Sequence, residues 1–266
     1  MIVTLLTDYG RDDDFVGVCH GVIRGIAPGA EIVDITHGVP RYDVRRGALV
    51  LRNTLPFMPA GVHIAVVDPQ VGTERRALAL RCENERILVG PDNGLLSLAW
   101  ESAGGIDMAV DVSRSPHRLE PVSATFHGRD VFAPVAARLA AGAELAEAGS
   151  PLDPAGLERV DLPEARRDGD ALVAHVLTID RFGNAGLNVS HDQMAGTEIT
   201  LGTTVEIEAR GERYLATYAR TFADVGSGEL IVYEDAYRSL AIAINRGDAG
   251  ATLGLRADAE VRLRPR

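Results

Sequence analysis

The side chains that could do chemistry in this chain sit at the ends of apolar runs. Ile64-Ala-Val-Val67 is followed at once by Asp68, Pro69 and Gly72, with Arg75 and Arg76 close behind. A continuous apolar run of this kind reads as a strand buried on both faces. A carboxylate at its carboxyl end, with a permanent cation nearby, could hold and polarise a small molecule in the crevice that strand-tip loops form. The blander reading is a turn-capping aspartate paired with a surface arginine, and the loop by itself does not separate the two.

The same design recurs. Ile2-Val-Thr-Leu-Leu6 leads into Thr7-Asp8-Tyr9-Gly10, and Glu31 to Ile35 leads into Thr36-His37-Gly38. Phe126-His127-Gly128-Arg129-Asp130 adds an imidazole able to exchange a proton near neutrality. Asp8, His37, Asp68, His127 and Asp130 could instead converge on a metal ion, although no H-x-x-x-H or comparable spacing supports a ligand set.

The elements that must position these groups follow from periodicity. A helix is predicted from Phe15 to about Ile26, with Asp12, Asp13 and Asp14 as its N-terminal caps. Within it Gly17, Gly21 and Gly25 recur every fourth residue, each costing up to about 1 kcal/mol relative to Ala, which suggests close packing against another element. No G-x-G-x-x-G dinucleotide fingerprint accompanies them. A helix from about Arg45 to Leu55 completes a β-α-β order, implying a parallel sheet with right-handed crossovers. Ala77 to Arg81 and Arg86 to Val89 read as a hairpin, Asp92 or Asn93 as the cap of a helix through Trp100, and Met108 to Val112 as a strand; an Ala-rich helix then ends before Ala148.

Pro151, Pro154 and Pro163 mark a linker, beyond which short β runs dominate: Leu172 to Ile179, Thr204 to Ala209, Arg213 to Tyr218, Glu229 to Tyr233, Leu240 to Ile244 and Glu260 to Leu263. The expected fold is therefore an N-terminal α/β domain over residues 1–163 with a mainly parallel sheet, and a smaller all-β, barrel-like domain over residues 164–266.

Composition narrows the function classes. A chain of 266 residues, 46% of them apolar, can bury a full core, yet no run is long enough to span a bilayer. Without a basic, apolar leader at its start the chain is expected to be cytoplasmic. Cys19 and Cys82 have no metal or disulfide spacing, and a net charge of −11 disfavours nucleic acid and anionic membranes as partners.

Taken together, Thr7-Asp8-Tyr9-Gly10, Val67-Asp68-Pro69-Gln70-Val71-Gly72-Thr73-Glu74-Arg75, Phe126-His127-Gly128-Arg129-Asp130 and Asp180-Arg181-Phe182-Gly183-Asn184 give the chain a resemblance to a known family. It resembles the S-adenosyl-L-methionine (SAM) hydroxide adenosyltransferases, the adenosine-forming SAM hydrolases, which are related to the SAM-dependent fluorinase and chlorinase. The resemblance implies an α/β domain followed by a β-barrel, and a homotrimer whose active sites lie between the first domain of one subunit and the second of its neighbour. It also implies hydrolysis of SAM to adenosine and L-methionine, with SAM as substrate and neither cofactor nor metal.

By the same resemblance the catalytic set falls on Asp68, Arg75 and His127, and the ribose-binding carboxylate on Asp8. Asp180 is implied near the methionine amine and Asn184 near the adenine edge, with Phe126, Phe182 and Phe222 lining the nucleoside pocket. Asn245 and Arg246 resemble the segment that offers backbone groups to adenine. Halogenating relatives carry tyrosine in place of His127, and the fluorinating branch also has serine in place of Gly128 and an extra loop not found here. Glu234 to Ser239 lacks that branch's Ser-Arg pair for the methionine carboxylate. Hydroxide is thus the implied nucleophile; a halide-using enzyme, a non-catalytic SAM or adenosine sensor and the metal-dependent hydrolase are the alternatives.

Overall fold

The computed structural model describes residues 1–194 and 197–266, and the chain divides into two compact units, Met1–Val160 and Asp161–Arg266. In the first unit the first three strands carry apolar side chains on both faces because each feeds two cores. These strands are β1 (Ile2–Thr7), β2 (Glu31–Thr36) and β3 (Gly61–Val66). Val3, Leu5, Ile64 and Val66 pack into one cluster with Val135 and Leu139, while Leu6, Ala65 and Val67 pack into the other with Leu51 and Trp100. Successive strand residues point to opposite faces, so an unbroken apolar run is what a doubly covered sheet requires.

The remaining strands are β4 (Ala77–Cys82), β5 (Ile87–Pro91), β6 (Ile106–Asp111) and β7 (Ser150–Pro151), and the sheet order is β2-β1-β3-β5-β4-β6-β7. β2, β1, β3 and β5 run parallel; β4 is antiparallel to β5 and to β6, and β7 is antiparallel to β6, so five of the seven point the same way. The predicted hairpin is β4–β5, with Ala79 opposite Val89. Helix α1 (Phe15–Ile26) joins β1 to β2 and contributes Cys19 and Ile23 to the first cluster; α2 (Val44–Thr54) joins β2 to β3 and contributes Leu51 to the second. Helices α3 (Ser97–Ser102) and α4 (Ala133–Ala140) follow, α4 entered through a wide turn at Gly128–Phe132.

Three local expectations change. Asp14 stands at the N-cap of α1, but its side chain makes no cap hydrogen bond. Gly17, Gly21 and Gly25 lie on the outer face of α1, where an added Cβ would meet nothing within 4 Å, so the stripe does not serve packing inside this chain. Asp92 and Asn93 precede α3 without capping it: Asp92 pairs with Arg76, and the Asn93 amide donates to the Val67 carbonyl at 2.9 Å.

The second unit is a closed seven-stranded barrel. Its strands are β9 (Ala171–Ile179), β10 (Ala185–Ser190), β11 (Thr204–Ala209), β12 (Glu212–Tyr218), β13 (Leu230–Glu234), β14 (Ser239–Ile244) and β15 (Glu260–Pro265), with β8 (Arg166–Asp168) flanking β9. The order β10-β14-β13-β12-β11-β15-β9 closes where β9 pairs antiparallel with β10. Val205, Ile207 and Ala209 alternate inward with Val261 and Leu263, which is the period of two that a small filled barrel needs. β10 was not foreseen from the sequence, because Gly186 and Asn188 interrupt its apolar alternation. Among the described residues no helix is long and apolar enough to cross a membrane.

Candidate active site

β1 lies between β2 and β3, so the chain leaves β1 to one side and returns on the other, with α1 and α2 on opposite faces. This reversal makes a crevice at the carboxyl ends of β1 and β3, where open α/β sheets bind their ligands. The tips bring Asp8 and Asp68 to one cavity of about 260 Å³, which Tyr9, Asp13, Phe15, Arg41, Tyr42 and His127 also line.

Asp68 and Arg75 form a nearly dry ion pair, their side chains 5% and 4% exposed. Arg75 Nε lies 3.0 Å from both Asp68 oxygens and Nη2 also donates to Oδ2, a two-pronged grip that fixes the plane of both groups. Nη2 reaches Nδ1 of His127 at 2.9 Å, Nη1 donates to the Arg76 carbonyl at 3.2 Å, and the guanidinium stacks 5.3 Å over the Phe132 ring. Arg75 is absent from the cavity lining while Asp68 and His127 are present, so it joins them from behind. Burial, helped by the Arg75 charge and opposed by Asp68 and Asp130, lowers the His127 pKa below the usual histidine range.

Asp8 Oδ2 accepts the Tyr42 N–H at 2.9 Å, and Tyr42 takes a left-handed φ of 66°, a conformation that concentrates at functional sites. The Tyr9 phenol is pushed well above its ordinary pKa, chiefly by burial, then by Cys19 and the Asp8 and Asp68 carboxylates, so it stays a neutral hydroxyl. That hydroxyl lies against Gly128, where an added Cβ would come within 2.2 Å of it. Phe126 does not line the cavity. It packs edge-on behind two residues that do, 5.9 Å from Tyr9 and 5.2 Å from Phe15.

The second-unit residues gather in a separate, open concavity of about 640 Å³ lined by Arg181, Phe182, Asn184, Phe222, Asn245 and Arg246. Phe182 and Phe222 are 69% and 36% exposed, wide aromatic faces presented to solvent. Asp180 is occupied within its own loop: Oδ1 accepts the N–H groups of Phe182 and Asn184, and Oδ2 accepts the Asn184 amide. Gly183, at φ 82°, allows that turn and has no room for a Cβ beside Asp248. Asn245 ties the loop through Val225, and Arg246 has a left-handed φ of 61°.

The sequence reading missed Tyr9, Phe15, Arg41 and Tyr42 as lining residues, and Tyr233, whose ring packs at a tilt against Phe222 with centroids 5.2 Å apart. Following each strand-tip loop to its end would have found Tyr9 and Tyr42. The five-residue metal set does not assemble: Asp130 is held by Arg129 and the Ser123 N–H, and among the described residues the one convergent group of three possible ligands is His20, Asp34 and His37.

Fold and site together define a two-unit protein, a doubly covered α/β sheet with a carboxylate, guanidinium and imidazole linked at its switch point, followed by a closed β-barrel with an aromatic concavity. The family model described as the SAM hydroxide adenosyltransferase N-terminal domain matches residues 3–149, and that described as its C-terminal domain matches residues 174–262. The chain belongs to the SAM hydroxide adenosyltransferase family. It is 47% identical to a protein of Salinispora tropica named (R)-S-adenosyl-L-methionine hydrolase, over 95% of this chain and 94% of that one. An Actinoplanes fluorinase is more distant, 30% identical over 96% and 95% of the two chains. The crystal structure of an uncharacterized conserved protein from Thermotoga maritima superposes with a TM-score of 0.92 at 35% identity, covering 99% of this chain and 100% of that one.

Proposed function

We propose that this protein is an enzyme that hydrolyses S-adenosyl-L-methionine to adenosine and L-methionine, an oxygen from water displacing the sulfonium at C5′. The observation that carries the reading is the single guanidinium bonded to both Asp68 and His127, two groups that line one cavity. In the displacement a C5′–O bond forms, the C5′–S pair returns to sulfur, and one proton of water passes to solvent. Sulfur leaves as a neutral thioether, so the leaving group needs neither an acid nor a metal. Activation falls on the nucleophile, since bulk water has a pKa of about 15.7.

Arginine carries no acceptor, so its contact with Nδ1 of His127 requires a lone pair there and leaves the ring proton on Nε2. The lowered pKa keeps this neutral form at pH 7. His127 then donates Nε2–H to the attacking oxygen and stabilises its hydroxide character, while Asp68 accepts a hydrogen of the same water and fixes its direction. Arg75 is a positioning residue: it touches the two groups that meet the water and holds both in register.

Asp8 takes the ribose hydroxyls in this reading, and Phe182, Phe222, Asn184, Asn245 and Arg246 take the adenine side. The homotrimer implied by the family resemblance supplies the two sets from neighbouring subunits; its mass in solution tests that. Cytoplasmic residence is the matching location, checked by cell fractionation. The relative's name carries an (R) descriptor beside L-methionine, which already fixes the α-carbon, so the descriptor belongs to sulfur, and we take the (R)-sulfonium epimer as the substrate form.

The test is incubation of purified protein with each SAM epimer, in chloride- and fluoride-containing buffer, followed by chromatography. The expected products are adenosine and methionine in equal amounts from the (R) epimer. A 5′-halo-adenosine would instead establish the halide-using reading. Calorimetric binding of SAM with no turnover would establish a sensor.

A further inference from the structure

Outside the cavity, α1 and the end of β2 bring together three side chains whose arrangement the reaction does not use. His20 Nε2 lies 2.8 Å from Asp34 Oδ1, and His37 Nε2 lies 3.1 Å from the same oxygen, all three atoms within 4.8 Å of one another. The His37 side chain is fully buried, and its Nε2, aimed at the cluster, has Asp34 Oδ1 at 3.1 Å as its polar neighbour without meeting it in good hydrogen-bond geometry. A buried ring nitrogen held only by a poorly aligned contact is uncommon and calls for an explanation. We propose that His20, Asp34 and His37 form a binding site for a divalent transition-metal ion, with zinc as the preferred occupant.

Ligand atoms about 2.0 to 2.2 Å from a tetrahedral zinc ion lie roughly 3.3 Å apart, so to accept a cation the 2.8 and 3.1 Å edges must open slightly and the His20–His37 edge, within 4.8 Å, must settle to the same spacing. Two imidazoles and one carboxylate favour zinc-like ions over calcium or magnesium, which take oxygen. The Nδ1 of His37 is 2.8 Å from Thr7 Oγ1, the outer contact by which a metal-binding histidine fixes its ring and directs the lone pair of the other nitrogen. His20 and Asp34 keep 33% and 26% of their side chains exposed, so an ion can enter from solvent and water can complete its shell.

The site is fastened to the catalytic loop. Thr7 Oγ1 also accepts the Tyr9 N–H, and the His37 carbonyl accepts the Gly10 N–H at 2.8 Å. An ion there braces the segment that carries Asp8 and Tyr9 without meeting substrate, so it stabilises the fold and leaves the displacement chemistry to other groups.

The experiment is calorimetric titration of zinc chloride into the full-length, chelator-treated protein, with thermal unfolding measured alongside. One zinc per chain and a raised Tm are expected, with no saturable binding of magnesium. His20→Ala, at a partly exposed position, and Asp34→Asn are each expected to weaken binding at least 10-fold and abolish the Tm rise, with circular dichroism unchanged; Thr7→Val is expected to weaken it 10- to 100-fold. Absence of zinc binding by the wild-type protein, equal binding of magnesium, or undiminished zinc affinity in both His20→Ala and Asp34→Asn would overturn the proposal.

Discussion

Arg75 donates Nη2 to Nδ1 of His127 across 2.9 Å, and because a guanidinium has only donors, this one contact dictates which nitrogen of the imidazole holds the proton. The tautomer is thus set by a residue 52 positions away in the chain, itself clamped by Asp68.

The first consequence is a pH profile. The His127 pKa is lowered, mainly by burial, so protonation, which would remove the lone pair facing Arg75, begins only below the ordinary 6.5. Activity is expected to stay level through neutrality and fall as pH drops through that lowered value. A kcat/KM profile measured from pH 4 to 9 checks it; an acid limb centred above 6.5 would contradict the assignment.

Arg75→Lys keeps a charge but cannot hold two partners in a plane. We expect kcat to fall about 100-fold, the scale of a 1 Å misplacement, with KM changed much less. Lysine is preferred to an apolar replacement, which would strand the buried Asp68 charge at about 3–5 kcal/mol. Steady-state kinetics separates the two parameters.

Gly128→Ala places a methyl against the Tyr9 hydroxyl, and overpacking of this kind costs about 1–3 kcal/mol. Tyr9→Phe removes the atom in conflict, so the double variant is expected to regain part of the loss. Urea unfolding of the four proteins in a double-mutant cycle measures the coupling; strict additivity would show that the two sites are independent.

How much of this was legible beforehand depends on the type of signal. Asp8, Asp68 and His127 were marked by apolar runs or motifs, and the two-unit division by a change in periodicity. That Arg75 stands behind the cavity was not legible, because spacing says which loop a residue occupies and not which way it faces. The glycines of α1 illustrate the same limit: their period was plain, but the face they occupy turned outward. β10 escaped because Gly186 and Asn188 are poor strand formers, and only pairing with β9 and β14 makes that segment a strand.

Acid stability has a separate origin in His63. Burial lowers its pKa from 6.5 to about 4, with Arg86 assisting, and its Nδ1 lies 3.0 Å from Thr4 Oγ1. The unfolded chain takes up this proton first, so stability drops as pH falls from 6.5 towards 4 and this contribution levels off below, by about 3 kcal/mol in all. His63→Asn keeps a polar atom near Thr4 without the titration; its urea midpoint is expected to vary less with pH over that window.

In the proposed reading Asp8 holds the ribose hydroxyls, and Asp8→Asn removes the charge that would strengthen those hydrogen bonds. Bonds to charged groups contribute about 1.5–3 kcal/mol, so KM is expected to rise roughly 10- to 100-fold with kcat nearly intact. A 2′-deoxy substrate should lose most of its disadvantage in this variant, which competition kinetics can read.

In the proposed displacement oxygen from water attacks C5′ while the methionine sulfur departs. Turnover of SAM in water enriched in oxygen-18, followed by mass spectrometry of both products, addresses it directly. One heavy oxygen is expected in the 5′-hydroxyl of adenosine and none in methionine; unlabelled adenosine, or label in the methionine, would exclude water as the nucleophile at C5′.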